Sequence, residues 1–148
     1  MADAVVKYAQ SLTGSANSTT WVDTASLADT EFEANKTYLI LANQICSNDS
    51  GTNDSRARLV HGTTPTVCDD ASLAFEGQTA NAQSHTLPWM FLFTQPATAE
   101  TVKIQISSSA TNNTVNRLSQ IIAIKLSDDF VSGTDYFWNE DLTNYKIT

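Results

Sequence analysis

Chemistry at neutral pH needs groups that titrate or bind a metal near neutrality, and this chain has few of them: His61, His85, Cys46 and Cys68. Neither histidine stands in an H-E-x-x-H or E-x-x-H spacing, and the cysteines form no C-x-x-C, so the local patterns that hold zinc are missing. A zinc site would have to be assembled from Cys46, His61 and Cys68 across the fold; ordinary strand and loop positions account for all three more simply. Asp69 with Asp70 and Asp128 with Asp129 are adjacent carboxylates. Neighbours along a strand point to opposite faces, so neither pair makes an acid and a base for one substrate, and both read as solvated turn charges. The run Asn48-Asp49-Ser50-Gly51-Thr52-Asn53-Asp54 is rich in oxygen ligands but lacks the spacing and the closing bidentate Glu of a calcium loop. There is no G-x-S-x-G elbow, and the five glycines stand singly rather than forming a phosphate cradle. The expectation is a chain with no catalytic residues, no metal and no cofactor, and so not an enzyme.

The segments that would carry these residues read as strands. TYLILANQIC, residues 37–46, is apolar on both faces and then alternates, as a core strand does on leaving a sandwich interior. RARLVH, 56–61, alternates Ala57, Leu59 and His61 against Arg56, Arg58 and Val60, which predicts a partly exposed strand, and ASLAFE, 71–76, is a shorter one. Between His85 and Thr94 the most apolar run sets Leu87, Trp89, Phe91 and Phe93 against Met90 and Leu92, a pattern expected of a central strand with Pro88 near its start. Val102, Ile104 and Ile106 alternate with Lys103, Gln105 and Ser107, and RLSQIIAIKL, 117–126, puts Leu118, Ile122, Ile124 and Leu126 on one face. The expected core is Leu39, Leu41, Trp89, Phe91, Phe93, Ile104, Ile106, Ile122 and Ile124. About eight strands joined by Asn-, Ser- and Gly-rich loops, with no helical crossovers, predict an all-β fold: an antiparallel β-sandwich of jelly-roll type with terminal arms.

Composition agrees. The 148 residues suit one domain, and 20 Thr, 15 Ser and 11 Asn favour strands and turns over helix interiors. A net charge of −8 with scattered basic residues argues against nucleic-acid binding, which rests on clustered Lys and Arg. The apolar run near Leu87–Phe93 is far short of the ~20 residues that cross a bilayer, so no membrane partner is expected. The opening MADAVVKYAQSL has Asp3 and no basic, then apolar, export pattern. Five N-x-S/T matches, at Asn17, Asn35, Asn48, Asn53 and Asn112, are what so much Asn, Ser and Thr produces by chance. Nothing in the spacing brings Cys46 and Cys68 to the ~4.4–6.8 Å Cα separation of a disulfide.

The ends read differently from the middle. Residues 1–20 form an N-terminal arm or edge strand that ends in the polar tract GSANSTT, residues 21–130 form the sandwich, and residues 131–148 form a C-terminal tail. The tail region mixes acids with Phe130, Tyr136, Phe137, Trp138 and Tyr145, a density of aromatics that suits either an added edge strand or an arm docking on another chain. Candidate partner-binding residues are therefore Phe130, Tyr136, Phe137 and Trp138, with Val5, Val6 and Tyr8 of the N-terminal arm as the competing anchor.

The order Trp21-Val22, TYLILANQI, RARLVHG, LPWMFLF, VKIQISS and RLSQIIAIKLSDD resembles small jelly-roll domains of tailed-bacteriophage virion proteins, of the tumour-necrosis-factor-like sandwich type. The resemblance covers residues 19–130 and is one of strand pattern, with DYFWNE (135–140) similar to segments that join such domains. It implies a virion structural protein assembled in the host cytoplasm. Its first expected role is capsid decoration as a homotrimer bound to the major capsid protein or another virion protein. A fibre-tip or receptor-binding head is the alternative role. A carbohydrate-binding module is a further one, although Trp21 and the tail aromatics form no recognisable platform.

Overall fold

The computed structural model describes residues 5–16, 19–48, 54–68, 73–76, 84–108 and 114–126. Among them are ten strands: β1 (Val6–Ser11), β2 (Ser15–Ala16), β3 (Val22–Leu27), β4 (Thr37–Asn48), β5 (Asp54–His61), β6 (Thr66–Val67), β7 (Leu73–Glu76), β8 (Ser84–Thr94), β9 (Val102–Ser108) and β10 (Thr114–Lys125). The helical content of these residues is one 3-10 turn, Asp29–Glu31, and none of it is long and apolar enough to cross a membrane. Every pairing is antiparallel. One sheet runs β1-β10-β4-β8 with β2 also on β10, and the other runs β3-β9-β5-β6 with β7 also on β5. The result is the two-layer sandwich expected of a jelly-roll type fold.

The core lies between the sheets. From the first it takes Tyr38, Ile40 and Ala42 of β4, Ile121 and Ala123 of β10, and Leu87, Trp89 and Phe93 of β8; from the second, Leu27, Leu59, Val102, Ile104 and Ile106. Phe32, just past the 3-10 turn, closes one end with its ring edge-on to Tyr38 at 5.0 Å and to Phe93 at 5.3 Å. The Tyr38 hydroxyl accepts the Glu33 N–H at 2.8 Å, so the closing loop is tied by a part-buried polar contact as well as by rings. Three turns need unusual backbone: Gly14 at φ 128, Asn35 at φ 59, a residue type that tolerates the left-handed region, and Gly62 at φ 86, where an added Cβ would also sit 3.3 Å from the Thr64 carbonyl.

Three expectations are corrected. Leu39, Leu41, Ile122 and Ile124 are not core residues; they are half-buried on the outer face, and their neighbours Ile40, Ile121 and Ala123 point inward. Where a strand is apolar on both faces, alternation fixes the two sets of residues but not which set faces the other sheet. Second, β8 is an edge strand, pairing only with β4 among the described residues. Pro88 explains it, since proline has no N–H for a second ladder and belongs at an edge. Third, Phe91 is half-buried at the sandwich end, stacked on His61 at 6.3 Å between ring centres.

Of the first twenty residues, those from Val6 to Ser11 form an edge strand in register with β10, from Val6 opposite Ile124 to Ser11 opposite Ser119, and Ala16 lies in the core.

Candidate assembly surface

The residues able to do chemistry are dispersed. His61, at the end of β5, has Nδ1 2.6 Å from Glu100 Oε2 and its ring 5.5 Å from that of Phe93, a pair that joins the two sheets at their end. Cys46 lies inside the sandwich, where burial pushes its thiol up to about 11 and leaves it a poor nucleophile. Cys68 follows β6 in the other sheet, and no disulfide joins the two. His85 is the β8 residue opposite Cys46. No group of three or more His, Cys, Asp or Glu among the described residues could hold a metal ion. Asp69, Asp70, Asp128, Asp129 and residues 49–53 lie outside the described residues, as do Phe130, Tyr136, Phe137 and Trp138.

Sequence reading missed a buried polar network spanning both sheets. Gln44 of β4 donates from Nε2 to Asn116 Oδ1 at 2.8 Å, and its Oε1 accepts the Ser119 hydroxyl at 2.5 Å. Asn116 Nδ2 donates to the carbonyls of Thr13 at 2.9 Å and Ser11 at 3.3 Å, and Thr24 of the second sheet lies 2.8 Å from Ser119 Oγ. Every member has a partner, which is the condition under which such a network holds a fold in one arrangement rather than loosening it. Its role is to lock the turn between β1 and β2 against β10.

The outer face of the second sheet is charged and cross-linked. Arg58 lies over the Trp21 ring at 4.2 Å and donates from Nε to Gln105 Oε1 at 2.8 Å. Gln105 in turn donates to Asp23 Oδ1 at 2.6 Å, and Lys103 Nζ donates to Asp23 Oδ2 at 3.0 Å. Burial pushes the Asp23 carboxyl up, but the bonds from Gln105 and Lys103, with the charges of Lys103 and Arg58, outweigh it and hold the group below its ordinary value. A depressed carboxyl contributes stability that is present above the unfolded pKa of about 3.9 and is lost as pH falls through the folded value. Asp23→Asn therefore lowers the melting temperature at pH 7 and leaves it nearly unchanged at pH 2. An equal drop at both pH values would mean that packing rather than charge holds Asp23.

The outer face of the first sheet is of another kind. Register aligns Val6, Ile124, Leu39 and Leu92 across its four strands, then Tyr8, Ile122, Leu41 and Met90, then Gln10, Gln120, Asn43 and Pro88, and beyond them Leu118, Ile45 and Thr86. No Asp, Glu, Lys or Arg stands in these rows. Val6 is 54% exposed, Tyr8 53% and Met90 46%, while the residues between them are half-buried by one another. Tyr8 hydrogen-bonds Gln10 and accepts from Gln120 Nε2, so even its hydroxyl is engaged within the sheet. Two of the predicted N-terminal anchors, Val6 and Tyr8, thus belong to a continuous apolar surface, and Val5 precedes it at the sheet's corner with its carbonyl accepting the Lys125 N–H. The signal for this face is the two-sided apolarity of residues 37–41 and 121–124, a pattern that deep burial produces equally.

No family model and no curated protein matches this chain. Solved structures do. A chain in the structure of infectious bursal disease virus, Gt strain, superposes on 84% of this chain with a TM-score of 0.59 at 13% identity. Derived T=1 particles of the same virus give 0.58 at 14% identity over 84%, and its T13 particle gives 0.56 at 11% identity over 82%. At such identities the likeness is one of fold alone, an antiparallel β-sandwich of jelly-roll type. This chain spans about a third of those proteins, 34%, 32% and 31% of their respective lengths.

Proposed function

We propose that this chain is a non-enzymatic structural protein of a virus particle, a capsid decoration protein that binds the major capsid protein as a homotrimer. The observation that supports it is the likeness of fold to a virus-particle protein over 84% of the chain. Phe130, Tyr136, Phe137 and Trp138 are the proposed grip on the particle, because aromatics bring large contact area at low rotamer cost. Three copies on one symmetric site multiply three weak contacts without any new one. The test is density-gradient fractionation of particles from the source. The chain co-migrates with the major capsid protein, and a version lacking residues 131–148 stays at the top of the gradient while remaining folded by circular dichroism. Recovery of the full chain only in the soluble fractions refutes the role; co-migration of the shortened chain refutes the grip.

A further inference from the structure

We infer that the outer face of the β1-β10-β4-β8 sheet is the surface through which copies of this chain associate with one another, a reading that rests on the proposed homo-oligomer and names where it forms. The strands lie ~4.8 Å apart and β4 has 12 residues. Three strands run ~40 Å and the six-residue β1 only ~20 Å, which makes a face of ~650 Å², within the ~600–1,000 Å² per partner of a stable interface. Its two apolar rows form a continuous patch, flanked on one side by the amide row of Gln10, Gln120 and Asn43 and, past it, by Leu118 and Ile45.

Charge selects the occupant. Each copy carries a net −8, so contact is least opposed where neither copy presents a carboxylate; the four rows of the first sheet's outer face hold none, and Arg117, bonded to Ser47, stands past their far end. The second sheet's outer face is charged instead, with Asp23, Arg58 and Lys103 already bonded within one cross-linked cluster. Around a three-fold axis the β1 side of one copy's face, with Val6 and Tyr8, meets the β8 side of the next, with Met90 and Leu92, so one apolar face supplies both halves of a heterologous contact.

The experiment is light scattering coupled to size exclusion on the full chain and on two single variants, Met90→Glu and Tyr8→Glu. Both residues are about half exposed, so each variant keeps the fold, which circular dichroism checks, and the two test opposite edge strands of the face. The full chain runs as a multiple of the 16.1 kDa monomer. Either variant weakens association by about 100-fold or more, because a carboxylate is buried without a partner. A full chain that stays oligomeric with both folded variants equally oligomeric overturns the face and leaves the trimer standing. A full chain that is monomeric at roughly 10 µM overturns both, leaving the face to the capsid or another partner, while particle binding is judged separately on the gradient.

Discussion

Phe93→Ala destabilises the protein by about 3–5 kcal/mol, the largest single-residue loss expected here. The ring is nearly inaccessible and stands where three elements converge: Phe32 packs edge-on to it from the loop that closes the sandwich, His61 leans on it from the opposite sheet, and its own strand supplies Trp89 and Leu87. Truncation removes the ring's transfer energy and leaves a cavity whose walls, being backbone-anchored strands, cannot collapse fully. For a chain of this length the melting temperature falls by roughly 6–20 °C. Leu92→Ala, the next residue along β8, is the control: Leu92 is half-buried on the outer face, and its truncation costs about 1 kcal/mol. Comparable losses for the two variants would show that the assignment of β8's faces is wrong.

Asn116→Leu costs about 3–5 kcal/mol by a different route. The side chain is nearly isosteric, so little cavity opens. What changes is that the carbonyls of Ser11 and Thr13 lose the Asn116 amide, Thr13 keeping the Ser11 hydroxyl, that Gln44 Nε2 loses one of its two acceptors, and that the Ser119 hydroxyl loses a neighbour. Each stranded buried group costs about 1–3 kcal/mol, and entering water recovers part of the sum. Because Gln44 and Asn116 belong to one network, Gln44→Leu adds little on top of Asn116→Leu, a non-additivity that a double-mutant cycle in denaturant unfolding reads directly. Trypsin exposes the same change, since releasing the β1–β2 turn loosens β1 and brings Lys7 within reach of the protease. A loss under about 1 kcal/mol would show that the network is replaceable by apolar packing.

Most of the strands were legible because period-2 alternation and Asn-, Ser- and Gly-rich breaks mark them directly. Val102, Ile104 and Ile106 alternate cleanly against Lys103 and Gln105, and β9 has its inner face where that pattern puts it. What the sequence did not reveal was orientation. In β4 and β10 both faces are apolar, and the choice of the inward one is made by Gln44 and Ser119, which must face inward to meet Thr24 and Asn116 from elements distant in sequence. The irregularity between Asn116 and Leu118 adds a change of parity: Thr114 and Asn116 point inward before it, Ser119, Ile121 and Ala123 after it. No local pattern announces such a step. The apolar outer face was hidden for the same reason, since a residue apolar by type looks like core until the opposite sheet is known.

The pairing of β1 with β10 also governs when the molecule can be completed. Of the described strands, β1 pairs only with β10, more than a hundred residues on, so the first sheet stays open along β10's side of β4 until residues 114–125 have left the ribosome. During that interval β4 and β8 form an unfinished ribbon whose both faces are apolar and whose edge at β4 is unpaired, the kind of surface that draws other nascent chains. Closure by such distant partners is slow, in the millisecond-to-second range typical of sandwiches. Yield in a recombinant host is therefore set by translation rate and temperature as much as by the stability of the finished fold, with slow, cool expression favouring β10 over a neighbour's strand.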